Sequence, residues 1–138
     1  DQLVRVWDGE PKVQMATLGT AITPEGLQST TTAKIVVDQL NRARYFSRFP
    51  IPYSRIDAKQ EITGCLKHIG LYAYTKEFLQ QFCAHPPVAI ELNEGLEQLR
   101  ALYIGAQIHV VEVEHDSWGV DTPEDIGKIE QILRARGW

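Results

Sequence analysis

A chain of 138 residues, 43% of them hydrophobic, is sized for one domain with a substantial core. Its 14 Lys and Arg against 18 Asp and Glu leave a net charge of −4 and no basic block, which argues against nucleic-acid binding. No apolar run approaches the ~20 residues of a membrane span, and no signal peptide is visible. Cys65 and Cys83 stand in no metal or redox spacing, as expected of an intracellular chain with both thiols reduced. The chain opens on Asp1 and not on Met, as a piece of a longer protein would.

In chain order, residues 13 to 18 read as a strand ending at Gly19. Thr23-Pro24-Glu25-Gly26 is turn-like, and residues 28 to 32 form a polar loop or short capped turn. Residues 34 to 38 (K-I-V-V-D) form a compact apolar strand, Asn41 sits at a turn, and residues 44 to 48 form a second extended piece. Pro50 and Pro52 end that piece, because proline cannot donate to a ladder. Residues 53 to 65 are polar and without clear period, an irregular excursion.

Residues 68 to 74 (H-I-G-L-Y-A-Y) alternate, with Ile69, Leu71 and Ala73 on one face and His68, Gly70, Tyr72 and Tyr74 on the other. The apolar face is expected to supply the core. Thr75 caps a helix through Phe78, Leu79 and Phe82, which Pro86-Pro87 closes. Leu92, Leu96, Leu99 and Tyr103 recur at helical spacing, predicting one amphipathic helix over 91–104 with Gly105 as its C′ residue. On that helix Glu91, Glu94, Glu97 and Gln98 would lie on the solvated side. Residues 108 to 113 read as a strand, and Ile126, Ile129, Ile132 and Leu133 as the stripe of a last helix that Gly137 ends. Strands alternating with helices predict an α/β layered fold.

Several residues stand out as chemistry. In G-V-D-T-P-E-D-I (residues 119 to 126), Thr122 is a good N-cap, Pro123 fits the first helical position and Asp125 can complete a capping box. Asp121 is not needed for any of this. A carboxylate between an apolar strand and a capped helix sits where α/β sheets gather ligand chemistry, although helping the turn is an equal use for it. His68 and Tyr72, ~13 Å apart at ~3.3 Å per residue, would suit the ends of a sugar-sized ligand with Gly70 leaving room between them. A half-buried His and Tyr satisfied by neighbours is the commoner case. Arg48, at a proline-fixed strand end, is suited to bidentate capture of a carboxylate or phosphate, although surface arginines are commoner.

Read together, R-Y-F-S-R-F-P-I-P (44–52), H-I-G-L-Y-A-Y (68–74), L-E-Q-L-R-A-L (96–102) and G-V-D-T-P-E-D-I (119–126) occur in an order that resembles the C-terminal half of 3-deoxy-manno-octulosonate (Kdo) cytidylyltransferase, the CMP-Kdo synthetase of Gram-negative bacteria. K-I-V-V-D (34–38) and M-A-T-L (15–18) also match, so the similarity covers nearly the whole chain. The resemblance implies that residues 1–138 are the C-terminal, sugar-binding and dimerisation portion of a single Rossmann-like nucleotide-diphospho-sugar transferase domain, three-layered with a mixed sheet. It further implies a cytoplasmic homodimer in lipopolysaccharide precursor synthesis, with CTP and Kdo as substrates and Mg²⁺ as cofactor. By matching motif, Asp121 would be a catalytic Mg²⁺ ligand, and Arg48, His68, Tyr72, Glu97 and Gln98 would line the Kdo pocket. Other readings are a cytidylyltransferase for a different 2-keto sugar acid, or a non-catalytic sugar-acid binding or dimerisation module. The departures are Arg44 where the family usually has an apolar residue, Asn41 where glycine is common, and Val88-Ala89 for a usual Ser-Pro. The family's N-terminal loop that grips the CTP phosphates has no counterpart in the chain, so the chain alone is expected to be inactive.

Overall fold

A computed structural model describes residues 3–9, 12–55, 64–114, 123–135 and 137. Five strands make one mixed sheet: β1 (Met15–Ala21), β2 (Lys34–Val37), β3 (Ala43–Ser47), β4 (Cys65–Tyr74) and β5 (Ile108–Glu112), in the spatial order β3-β2-β4-β1-β5. β5 runs parallel to β1, and the other pairings are antiparallel. The helices are α1 (Val6–Gly9), α2 (Pro24–Gln28), α3 (Lys76–Ala84), α4 (Ala89–Glu94), α5 (Gln98–Tyr103) and α6 (Pro123–Ala135). This is the α/β architecture that the alternation predicts.

Most boundaries follow local chemistry. Thr23 and Thr75 cap α2 and α3 by accepting from the N–H groups of Gly26 and Phe78, so the segment expected as a mere turn at 23–26 begins a short helix. Asn41 turns the β2–β3 hairpin with a left-handed φ of 54°, which is why glycine suits that position elsewhere. Asp38 supports this turn by accepting from the N–H groups of Leu40 and Arg42 at 2.9 and 3.0 Å. The hairpin tip reaches across to β5, where the Asn41 carbonyl accepts from Val110 N–H at 2.7 Å. One layer of side chains closes the core. Met15, Ile35, Phe46 and Ile108 from the sheet pack with Phe78 and Phe82 of α3 and Leu99 and Ala101 of α5. Each such large side chain contributes about 1.5–3 kcal/mol by leaving water.

Three expectations need correction. The helix predicted over 91–104 is two helices, because Gly95 takes φ 61° as the C-cap of α4 and the chain restarts at Gln98. The helical stripe therefore splits: Leu96 and Leu99 are buried, while Leu92 and Tyr103 are 68% and 64% exposed. The four polar residues of the expected solvated side also divide, with Glu91 and Gln98 buried. On β4 the alternation breaks. Thr17 faces Tyr72 and Leu18 faces Ile69, so Gly70 and Leu71 bulge out of the ladder without partners on β1. Leu71 is 56% exposed, whereas Tyr72 and Tyr74 pack against the core. The aromatic face of this strand meets α3 through Tyr74, while on the aliphatic face Ile69 is buried and Leu71 exposed.

Helix α6 forms as predicted, with Ile126 and Leu133 of its stripe exposed. Asp121 and Thr122, and the middle of the 53–65 excursion, lie outside the described residues. No helix among the described residues is long and apolar enough to cross a membrane.

Candidate functional site

The bulge sets the geometry of the site. With two residues removed from the ladder, His68 and Tyr72 are only two ladder steps apart, opposite Gly19 and Thr17. Their ring centroids lie 5.4 Å apart and not at the ~13 Å of an uninterrupted strand. Phe46 of β3 meets His68 edge-on at 5.2 Å, and Tyr74 continues the row at 6.0 Å from Tyr72. The rings form a continuous aromatic band from β3 to α3, where Tyr74 stacks on Phe78.

Thr17 sits beneath this band with no exposed surface. Its hydroxyl lies 2.9 Å from Leu71 O, 3.3 Å from Ile69 O and 3.0 Å from His68 Nε2. It replaces the ladder bonds that the bulge breaks. Burial lowers the His68 pKa to about 4, so the imidazole is neutral near pH 7. Burial, then Tyr74 and Glu97, raise the Tyr72 pKa, and burial and Glu97 push that of Tyr74 up to about 12. Both phenols therefore keep their protons. The negative charge of Glu97, an exposed residue, contributes to both upward shifts. Gln98, next in the chain, is 2% exposed, and its buried Nε2 has no hydrogen-bond partner among the described residues.

Arg48 is built differently. Its Nε donates to Glu94 O at 2.9 Å, Nη2 to Gly95 O at 3.3 Å, and Nη1 to Thr30 O and Thr31 O at 3.4 and 3.2 Å. Four of its five N–H groups are thus aimed at backbone carbonyls, and the guanidinium joins the α4–α5 turn to the loop after α2. The Glu94 carboxylate accepts from Ser47 Oγ at 2.7 Å and Arg48 N–H at 2.9 Å. The ammonium of Lys34, fully buried, donates to Ser29 O, to Thr32 O at 2.8 Å and to Arg48 O at 2.7 Å. Burial lowers its pKa.

The five residues of the expected sugar pocket fall into two groups, His68 with Tyr72 on β4 and Arg48 at the α4–α5 turn that leads into Glu97 and Gln98. His68 and Tyr72 touch, Glu97 acts on Tyr72, Gln98 follows Glu97, and Arg48 holds the carbonyls of Glu94 and Gly95 just before them. The same turn is fixed from α3, since Arg100 meets Glu91 at 3.1 Å, donates to His85 O at 2.9 Å and lies 4.4 Å over the Phe82 ring. An open cleft of about 470 Å³ lies between Tyr45, Arg48, Phe49, Ile90, Asn93 and Glu94. Of the five residues it contains only Arg48. Thr17, Lys34 and Glu94 support the arrangement and were not singled out from sequence. The one signal for Thr17 is a hydroxyl inside the otherwise apolar M-A-T-L.

Among the described residues no three His, Cys, Asp or Glu side chains lie close enough to hold a metal ion. Asp121 lies outside them, so the described part does not form a metal site by itself.

The cytidylyltransferase family profile matches residues 1–108. The chain belongs to that family. It is 52% identical over 139 residues to the 3-deoxy-manno-octulosonate cytidylyltransferase of Bdellovibrio bacteriovorus, which covers 99% of this chain and 56% of that protein. The corresponding protein of Anaeromyxobacter sp. is 42% identical over 135 residues, covering 98% of this chain and 54% of that protein. A solved CMP:2-keto-3-deoxy-manno-octonic acid synthetase complexed with CTP superposes with a TM-score of 0.88 at 36% identity, over 97% of this chain and 54% of that one. The chain spans about half the length of the curated relatives it matches.

Proposed function

We propose that this chain is the sugar-acid-binding portion of a cytoplasmic, homodimeric Kdo cytidylyltransferase acting in lipopolysaccharide precursor synthesis. In the reaction the anomeric hydroxyl of Kdo attacks the α-phosphorus of CTP, giving CMP-Kdo and pyrophosphate. The observation that carries this reading is the contact of His68 with Tyr72 at 5.4 Å, with the charge of Glu97 acting on Tyr72.

These groups suit a polyhydroxylated acid. A neutral imidazole and a carboxylate accept from sugar hydroxyls, and a protonated phenol donates. The buried Gln98 amide has Nε2–H groups that nothing among the described residues satisfies. Arg48 brings positive charge for the sugar carboxylate, and its stiffness limits how far that charge moves. Asp121 supplies one carboxylate ligand for Mg²⁺, which when bound screens phosphate charge. The described residues do not complete a metal site, so no step is derived through it.

Pyrophosphate release from CTP and Kdo by the complete protein tests the reading. His68→Gln and Glu97→Gln should raise the KM for Kdo about tenfold, a loss of ~1.4 kcal/mol, while leaving the KM for CTP within twofold. The 138-residue chain alone should stay at background. Unchanged Kdo kinetics in both variants would remove the sugar pocket from this face, and a higher kcat/KM with another 2-keto sugar acid would change the substrate.

A further inference from the structure

The hydroxyl of Thr17 has one proton and three polar neighbours. Two of these, Leu71 O at 2.9 Å and Ile69 O at 3.3 Å, are carbonyls that can only accept. Were the proton given to His68 instead, Thr17 Oγ1 and Leu71 O would face each other at 2.9 Å as two acceptors with no hydrogen between them. The nearer carbonyl, that of Leu71, belongs to the bulge and has no partner on β1, while Ile69 stays in the ladder opposite Leu18. The proton therefore goes to the carbonyls, and the third neighbour, His68 Nε2 at 3.0 Å, must be a donor. A neutral imidazole with Nε2 protonated keeps a lone pair on Nδ1. Phe46 edge-on at 5.2 Å and Tyr72 at 5.4 Å hold the ring in that orientation.

We propose that Thr17 is a positioning residue for the sugar pocket: by donating to the bulge carbonyl of Leu71 it obliges His68 Nε2 to carry the proton, so the ring can offer a ligand only the acceptor Nδ1. The bulge and the tautomer are then one device. The same hydroxyl that stitches Gly70 and Leu71 into the sheet sets which hydrogen bond His68 can make.

This sharpens the proposed function, on which its ligand half rests. A neutral acceptor accepts a hydrogen bond from a hydroxyl and cannot pair with a carboxylate. His68 therefore faces a hydroxyl-bearing carbon of the sugar acid, and the carboxylate lies away from it, toward the guanidinium of Arg48.

Nitrogen-15 NMR of the histidine side chains in the complete protein, with His68 assigned through His68→Gln, reads the tautomer without any ligand. Near neutral pH the wild-type ring should show Nε2 protonated and Nδ1 bare. Thr17→Val keeps the shape and removes the hydroxyl. It should mix the two tautomers and raise the KM for Kdo about tenfold, with the KM for CTP within twofold. Thr17→Ser should restore both. A wild-type proton on Nδ1, or an unchanged tautomer in Thr17→Val, would overturn the proposal. Should Thr17→Val fail to fold, the wild-type ring and Thr17→Ser decide it: a Ser variant with a different tautomer counts against the hydroxyl. A tautomer that shifts as expected while Kdo kinetics stay unchanged would leave the Thr17–His68 device standing and defeat its ligand role together with the proposed pocket.

Discussion

Two regions of the molecule use their polar residues in opposite ways. At the end of β3, Lys34, Arg48 and Glu94 carry full charges, yet their donors and acceptors are directed at the protein's own backbone. On β4, His68 and Tyr72 are kept neutral by burial and retain groups that a ligand can use. A formal charge in a sequence thus says little about the hydrogen-bonding groups left for a ligand: Arg48 can still attract an anion by its charge, but most of its N–H groups are committed to backbone carbonyls. What counts is how many carbonyls and N–H groups the fold has left for that side chain to satisfy. Where helix ends and loops converge, as at Gly95 and Thr30–Thr31, orphan carbonyls draw the cations in.

The largest test of this contrast is Lys34→Met. Methionine matches the apolar stem but leaves three part-buried carbonyls without the ammonium, so the chain should lose about 3–5 kcal/mol of stability. Urea denaturation followed by circular dichroism of the complete protein measures it. A loss below about 1 kcal/mol would mean that the ammonium is dispensable and that the charged knot is not structural.

The second test falls on the neutral region. The His68 pKa of about 4 in the folded protein lies below the 6.5 of the free side chain. Between these values the unfolded chain binds a proton that the folded chain refuses. Stability from this residue is therefore full above about pH 6.5 and is lost as pH falls toward 4, by about 3 kcal/mol in all. His68→Gln removes the titrating ring. Comparing wild type with this variant at about pH 7.5 and about pH 4, the stability difference should shift by that amount in favour of the variant at the lower pH. A constant difference would show a solvated imidazole and erase the contrast between the regions.

How much of this was legible beforehand follows the same division. Strands β2 and β5 and helix α3 follow from short-range pattern and caps, because Ile35, Ile108, Thr75 and Phe78 act through neighbours close in sequence. The bulge was hidden because Gly70 and Leu71 continue an unbroken alternation; only pairing with β1 shows that they leave the ladder. The α4–α5 break was hidden because Leu92, Leu96, Leu99 and Tyr103 keep helical spacing straight across Gly95. Motif resemblance pointed to His68, Tyr72, Glu97 and Gln98 without indicating their surroundings. Thr17 acts on residues more than fifty positions away, so no local pattern marked it, and Lys34 turns back on the irregular loop carbonyls of Ser29 and Thr32, which follow no period.

The smallest expected effect belongs to the turn between the two regions, and it separates conformation from contact. Gly95 holds φ 61°, and a Cβ there would meet nothing closer than Arg48 Nε at 3.8 Å, an ordinary contact. Gly70, in the bulge, would meet nothing within 4 Å, and its φ is not in the left-handed region. Gly95→Ala should therefore cost about 1–2 kcal/mol from backbone strain alone, while Gly70→Ala should stay within about 0.5 kcal/mol of wild type. Thermal denaturation of the two variants side by side gives the answer. Because the carbonyls of Glu94 and Gly95 are the ones Arg48 grips, strain at Gly95 should also loosen Glu97 and Gln98 behind it and weaken Kdo binding in proportion. Equal stabilities for the two variants would mean that the turn is not held in its left-handed form, and Arg48 would then be anchored to nothing rigid.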